Sequence, residues 1–175
     1  MKTKKYYASK IAISARKLCV DNKLIDENTK TLNFETLQKI VNIFGGNLLK
    51  NENGYSYYKH KKSSFDICIG NDVKTEDESF TILMALAIPF FDYEKLSDGC
   101  EINISEDKIY DNSVISINEI LWFSREFLMP EKLYDQTMIE NMTKDGKFDC
   151  IGIAEDFGTN YMKVLARGED LGKWH

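Results

Sequence analysis

Apolar residues recur every three to four positions along much of the chain, the spacing that collects them on one face of a helix. This spacing predicts helices over residues 6–20, 33–44, 75–91, 116–128, 130–142, 149–157 and 161–167. In the first helix we expect Tyr7, Ile11, Ala15 and Leu18 to face the core. The helix over 75–91 is apolar nearly all round, which predicts a buried central helix.

Short polar signals predict where several of these helices begin and end. Asn33 is placed to cap the second helix, and Gly45-Gly46 to stop it. Thr75 and Glu78 have the spacing of a capping box, and Ser113 or Ser116 is placed to open the helix that runs to residue 128. Pro89 lacks a backbone N–H, so we expect it to kink or end the central helix.

Three short segments, residues 47–49, 55–59 and 65–69, have strand character. Asn53-Gly54 between the first two is typical of a tight hairpin. Residues 92–112 are acidic, and their sequence is typical of a loop. Two helices, a small sheet and further helices indicate an α+β fold with a three-stranded antiparallel or mixed sheet. We divide the chain into a main domain, 1–142, and a two-helix tail packed on it, 143–175.

Charge is distributed unevenly along the 175 residues. The net charge is −5, but residues 1–62 hold 13 basic and 5 acidic residues, whereas residues 63–175 hold 10 and 23. The basic third can meet phosphate or an acidic partner, and the acidic remainder a basic one. The two ends can also attract each other or simply be solvated.

The chain shows no targeting signal and no membrane-spanning run. Its longest apolar run, residues 82–91, is far shorter than the roughly 20 residues that cross a bilayer. The four cysteines are widely spaced, without a Cys-x-x-Cys pair, which favours reduced thiols. We therefore expect a cytoplasmic protein.

Four segments in order resemble the ImmA/IrrE-type metallopeptidases, small zinc enzymes of bacteria and their mobile elements. Residues 119–130 (Glu-Ile-Leu-Trp-Phe-Ser-Arg-Glu-Phe-Leu-Met-Pro) resemble the family's Glu-Ala-Asn-x-Phe-Ala-Ala-x-Leu-Leu-Met-Pro segment and carry the most specific similarity. Residues 79–83 are similar to the Arg-Phe-Thr-Leu-Ala sequence that opens the family's metal helix, and residues 153–160 to its Leu-Ala-x-x-Phe-Gly-Val-Ser tail. Residues 65–69 match the strand before that helix. The resemblance implies a zincin-like helical core over about residues 34–168.

The resemblance fails at the residues that carry the chemistry. In the family, His-Glu-x-x-His supplies two zinc ligands and the base that activates water. Here those positions hold Met84, Ala85 and Ile88, while the family's third ligand falls on Glu119. Thioether, methyl and branched alkyl groups replace the ligands and the base, so the resemblance implies a fold without catalytic residues, zinc or another cofactor. If Glu119 points inward, its carboxylate needs a charged or hydrogen-bonding partner; otherwise we expect the side chain to be solvent-exposed.

Other candidate sites rest on fewer residues. Lys59, His60, Lys61 and Lys62 form a basic stretch beside two tyrosines, which predicts a surface able to touch nucleic acid or phosphate; a solvated strand end is the alternative. The chain has one further histidine, His175. Neither a relocated zinc site nor a Cys–His pair is supported by the spacing of histidines and cysteines.

We therefore expect a non-catalytic regulator from a phage or other mobile element. It would bind and occupy another protein, either a transcriptional repressor, as the family's usual company suggests, or a host defence nuclease, in the manner of an anti-CRISPR inhibitor. Two alternatives remain open: a hydrolase with an unconventional site at Glu119, and a nucleic-acid module that uses the basic N-terminal third.

Overall fold

A computed structural model describes residues 2–52, 54–104, 109 and 114–173. The fold is α+β, with seven α-helices in these residues and a four-stranded mixed sheet. The helices are α1 (Lys2–Asp21), α2 (Phe34–Ile43), α3 (Glu78–Asp92), α4 (Ile117–Leu128), α5 (Glu131–Glu140), α6 (Cys150–Phe157) and α7 (Tyr161–Asp170). The strands are β1 (Gly46–Asn51), β2 (Tyr57–Lys61), β3 (Ser64–Gly70) and β4 (Glu101–Asn103).

The sheet order is β1-β3-β2-β4, which differs from the prediction in two ways. Strand β4 lies within the segment predicted as a loop, so the expected count of three strands is wrong. The hairpin prediction is also wrong, because β3 lies between β1 and β2 and pairs with β1 in parallel. The tight connection joins β2 to β3 instead. Asn53 itself lies outside the described residues.

Side chains alternate along β2, and this alternation sorts them between the two faces of the sheet. Tyr58 and His60 point into the core and are buried, whereas Tyr57, Lys59 and Lys61 lie on the other face and are partly exposed. At the start of β1, Gly46 packs against the ring of Phe65, and a Cβ there would overlap that ring. A larger residue at this position would force the buried Phe65 ring to move.

The central helix is α3, and the burial predicted for it is confirmed from Ser79 to Ile88. It packs against β3, α2 and α4. Pro89 does not end it, since α3 continues to Asp92. The predicted capping box is wrong: Thr75 begins a short 3₁₀ turn, and the α-helix starts at Glu78.

The first helix packs with a different face from the one predicted. Its buried residues include Ala8, Ala12 and Cys19, whereas Tyr7 is 63% exposed and Leu18 is 42% exposed. Small side chains let α1 lie close along α4, the helix with which it makes its most extensive contact. The larger residues are therefore left on the outer side of α1, and the expected stripe is wrong at Tyr7 and Leu18.

Local caps fix the ends of several other helices. The Asn33 side chain accepts a hydrogen bond from the Thr36 N–H, as its capping position predicts. Helix α4 begins after Ser116, whose N–H and hydroxyl both donate to the buried Asp92 carboxylate at 2.8 Å. Ser113, the other predicted start, lies outside the described residues.

The last two helices add to the same hydrophobic core as the rest of the described chain. Gly158, with φ of 61°, makes the left-handed turn between α6 and α7. Ile153 and Phe157 of α6 and Val164 of α7 belong to the main cluster of buried side chains. The Tyr134 hydroxyl of α5 also donates to the Val164 carbonyl oxygen at 2.8 Å. Within the described residues, no helix combines the length and the apolar character needed to cross a membrane.

Candidate functional site

The three positions where the resembled family carries its zinc motif lie on α3 and are buried. Met84 is 1% exposed, and Ala85 and Ile88 are fully buried in the main core. Their side chains offer one thioether sulfur and otherwise only hydrocarbon. The arrangement can contribute packing, but it supplies no imidazole ligand and no general base.

Glu119 lies on α4, and its carboxylate is paired. Its side chain is 14% exposed, and Oε1 lies 3.0 Å from the Nζ of Lys4 on α1. Lys4 remains largely exposed, so the pair sits at the edge of the core rather than inside it. Glu119 is therefore neither solvated on all sides nor buried without a partner. Its charge is balanced by a lysine from the first helix.

The described residues contain no group of three or more histidine, cysteine, aspartate or glutamate side chains arranged to hold a metal ion. Cys19, Cys68, Cys100 and Cys150 are free thiols. Burial raises the pKa of the Cys19 thiol to about 11, although the nearby Arg16 opposes this shift. Burial and the neighbouring Asp149 raise the pKa of Cys150. Both shifts keep these thiols protonated and poorly nucleophilic at neutral pH.

The predicted basic stretch is divided between the two faces of the sheet. His60 is buried, with its ring 4.6 Å from that of Tyr93 and its Nδ1 3.3 Å from the Tyr58 hydroxyl. The expectation of a surface histidine is therefore wrong, because the alternation of β2 carries this side chain into the core. Lys62 is exposed, and its backbone N–H donates to Asp98. His175 lies outside the described residues.

The two lysines on the outer face of β2 are paired with carboxylates. Lys59 lies 2.7 Å from Glu101, and this contact raises the pKa of the lysine. Lys61 lies 2.5 Å from Asp66. Burial raises the pKa of Asp66, but hydrogen bonds from Lys61 and Asn47 outweigh it and the net shift is downward. A phosphate would have to compete with these carboxylates for both lysines.

On the same face, Tyr57 lies opposite Cys68 in the paired strands. A hydrogen bond with the Cys68 thiol and partial burial raise the pKa of Tyr57 to about 12.

A charged cluster that the sequence analysis did not predict joins three helices, α1, α4 and α7, around the end of α4. Glu126 of α4 is 7% exposed, and its Oε2 accepts a hydrogen bond from the Arg167 guanidinium of α7 at 2.7 Å. The Nε of Arg167 also donates to the Met129 carbonyl oxygen at 2.9 Å. Arg16 of α1 donates to the carbonyl oxygens of Phe127 at 2.7 Å and Thr29 at 2.6 Å. Burial lowers the pKa of Arg16, although its guanidinium remains charged.

The cluster satisfies carbonyl groups that a helix end leaves without partners. Phe127 and Met129 lie at the C-terminal end of α4, where positive charge also interacts favourably with the helix dipole. Glu126 accepts a hydrogen bond from Arg167, and both Glu126 and Asp26 oppose the effect of burial on the pKa of Arg16. These residues are far apart in sequence, so no local pattern predicts their meeting.

The same cluster forms the floor of a surface groove between α1 and α5, which we call the α1–α5 groove. It consists of two adjoining cavities of about 320 and 870 Å³. Both cavities are lined by Ile13, Glu126, Pro130 and Lys132; Arg16 lines the smaller one and Arg167 the larger. The groove combines apolar side chains with convergent charged groups, the composition typical of a binding site.

No protein-family model matches the chain, and comparisons with the curated proteins and with the solved structures give no significant match either.

Proposed function

We propose that this chain is a non-catalytic, protein-binding regulator built on a zincin-like peptidase fold and carried by a phage or other mobile element. It acts by occupying another protein, either a transcriptional repressor or a host defence nuclease. The proposal includes a cytoplasmic location, which agrees with four free thiols.

The proposal rests on the apolar side chains that α3 buries at three positions. Met84, Ala85 and Ile88 fill the place of ligands and base with buried hydrocarbon and one sulfur. Burying a large apolar side chain stabilises a fold by about 1.5–3 kcal/mol. The core can therefore close here without a metal. The pairing of Glu119 with Lys4 supports the same reading, since it balances the charge that zinc would balance in an active relative.

Restoring the motif tests the proposed ancestry directly. The triple variant Met84→His, Ala85→Glu, Ile88→His should take up one zinc ion per chain and should need that ion to fold. The matched control, Leu83→His with Ala87→His, places the same i, i+4 histidine pair at two equally buried positions of α3. It should fold poorly and hold no stoichiometric zinc. Elemental analysis and circular dichroism measure both properties, and equal zinc content in the two variants would contradict the proposed fold relationship.

The regulatory role is tested with the unaltered protein. We expect it to purify from its native host without stoichiometric zinc, without chelator-sensitive peptidase activity, and with a repressor or nuclease in equimolar amount. Mass spectrometry identifies the bound protein, and quantitative staining gives the ratio. A zinc ion bound per chain, or cleavage of a peptide that a chelator stops, would overturn the non-catalytic assignment. Recovery of general chaperones alone would overturn the regulatory one.

A further inference from the structure

A small cavity lies where the ends of α2 and α3 meet the start of β3, and aromatic rings form most of its wall. Its volume is about 240 Å³. The rings come from the residue that follows α2, the start of β3, the last turn of α3 and the 3₁₀ turn after α3. They belong to Phe44, Phe65, Phe90 and Tyr93. We call this space the aromatic cavity.

The two phenylalanines on the helix side of the aromatic cavity hold each other, and a third ring lies behind them. Phe44 and Phe90 meet edge to face, with their ring centres 5.3 Å apart. Phe90 also stacks on the fully buried Phe123, with ring centres 5.2 Å apart. Both separations lie in the range in which aromatic pairs attract each other.

The two rings on the sheet side are also supported by other rings. Phe65 is 3% exposed and stacks on Tyr58, with ring centres 5.6 Å apart. Tyr93 meets His60 edge to face at 4.6 Å, and its hydroxyl donates to the Lys62 carbonyl oxygen at 2.7 Å. The wall is therefore in place before a ligand arrives, so binding needs little ordering of side chains.

The remaining lining residues determine the polarity of a ligand that can enter. Pro89 adds apolar surface, and Ser63 and Ser64 add two hydroxyl groups. In the described part of the chain, every residue that lines the cavity is uncharged. An ionised group placed there would lose hydration without gaining a partner of opposite charge, which is costly. The cavity therefore favours an uncharged ligand, and a serine hydroxyl can accept a hydrogen bond from a ring N–H.

The volume of the cavity indicates the size of the ligand. A cavity of about 150 Å³ holds benzene, whereas drug-sized ligands occupy about 300–1,000 Å³. The aromatic cavity, at about 240 Å³, lies between these volumes. We propose that it binds an uncharged bicyclic aromatic ring of the size of indole. Nothing in this site depends on the zincin-like ancestry.

A titration of the unaltered protein with two compounds tests the inference. One is indole, and the other is cyclooctanol, an uncharged aliphatic ring of similar size. Heteronuclear NMR of ¹⁵N-labelled protein follows both titrations. We expect indole to give saturable shifts at the backbone amides of Ser63, Ser64 and Tyr93. Cyclooctanol should bind at least fivefold more weakly, because only an aromatic ligand gains ring-to-ring contacts.

Two tyrosine variants locate the ligand. Tyr93→Ala removes one ring from the wall and should weaken indole binding at least fivefold. The matched control is Tyr55→Ala: Tyr55 is 50% exposed and lies against the Tyr57 ring at 5.6 Å, but it does not line the cavity. Indole binding should stay within twofold in this control. Thermal unfolding monitors both variants, and if Tyr93→Ala fails to fold, Ser63→Trp at an exposed lining position should block indole binding instead.

A capped Ala-Trp-Ala tripeptide distinguishes two sources of the ring. If it binds at least as tightly as indole, the ring belongs to a tryptophan of a partner protein. If it binds more weakly than indole or not at all, the ring belongs to a free compound. Three results would overturn the inference: no saturable shift with up to about 1 mM of indole or tripeptide, equal binding of indole and cyclooctanol, or equal indole affinity in the two tyrosine variants. Undiminished indole binding by Ser63→Trp would overturn it as well.

Discussion

Replacing Arg167 with methionine removes the positive partner of Glu126. Arg167 is 2% exposed and bonds to both the Glu126 carboxylate and the Met129 carbonyl oxygen. Methionine has a similar length and can fill the space, but it donates no hydrogen bond. The variant therefore leaves a buried carboxylate without its main partner and a helix-end carbonyl without a donor.

The magnitude follows from the burial of the pair. Removing one partner of a buried ion pair destabilises a protein by about 3–5 kcal/mol, because the remaining charge stays desolvated. A whole domain is stable by only about 5–15 kcal/mol. We therefore expect Arg167→Met to remove a large fraction of the free energy of unfolding, measured by urea denaturation with circular dichroism.

A double-mutant cycle separates the pair from simple loss of packing. Glu126→Gln removes the charge but keeps the shape and an acceptor oxygen, so the double variant should be less destabilised than the sum of the single variants, by about 2 kcal/mol. The control Lys17→Met breaks the exposed Lys17–Asp21 pair and should change stability by less than about 1 kcal/mol. Additive effects in the cycle, or a loss in Arg167→Met no larger than in the control, would refute this account of the cluster.

Two further predictions concern α1. Ala12→Leu should destabilise the protein by about 1–3 kcal/mol, because Ala12 is fully buried on a helix packed closely along α4. The control Ser14→Leu, on the exposed side of α1, should have little effect on stability. Urea denaturation measures both variants, and equal effects would mean that α1 does not pack through its small residues. Folding raises the pKa of the Cys19 thiol to about 11, so the stability that comes from keeping this thiol protonated is present at neutral pH and falls between about pH 9 and pH 11. The free energy of unfolding should fall by about 3 kcal/mol, since each unit of pKa shift corresponds to about 1.36 kcal/mol. Cys19→Ala should lose less stability over this pH range. A variant with the same pH profile as the unaltered protein would contradict the role given to the Cys19 thiol.

Features set by neighbouring residues could be predicted from the sequence. The Asn33 cap depends on a residue three positions away, and the burial of α3 depends on a continuous apolar segment. Both are local properties, and both agree with the structure. The α+β class followed from the order of such local elements.

Features set by distant partners could not be predicted in the same way. The face of α1 that packs inward is chosen by the close approach of α4, which favours Ala8 and Ala12 over the larger Tyr7 and Leu18. The order of the sheet depends on β1 pairing with β3 rather than with the next strand in sequence. Strand β4 has only three residues, too few to show a period.

The residues of the candidate site also divide into those set by neighbouring residues and those set by distant partners. Met84, Ala85 and Ile88 could be named because they follow a short motif-like segment, and their burial follows from their helix. The position of His60 also had a signal in the sequence, since the period of two along β2 gives it the same face as Tyr58. The meeting of Arg16, Glu126 and Arg167 had none, because Arg16 and Arg167 approach the end of α4 from opposite ends of the chain.

The charged cluster at the end of α4 also sets an order of events during protein synthesis. Arg16 leaves the ribosome early, but the α4 carbonyl group that it binds lies 111 residues later, and Arg167 follows 38 residues after Met129. At about 5–20 residues per second, α1 waits many seconds before its docking surface is complete. Until α4 has been synthesised, the alanine face of α1 lacks the helix against which it packs in the folded protein.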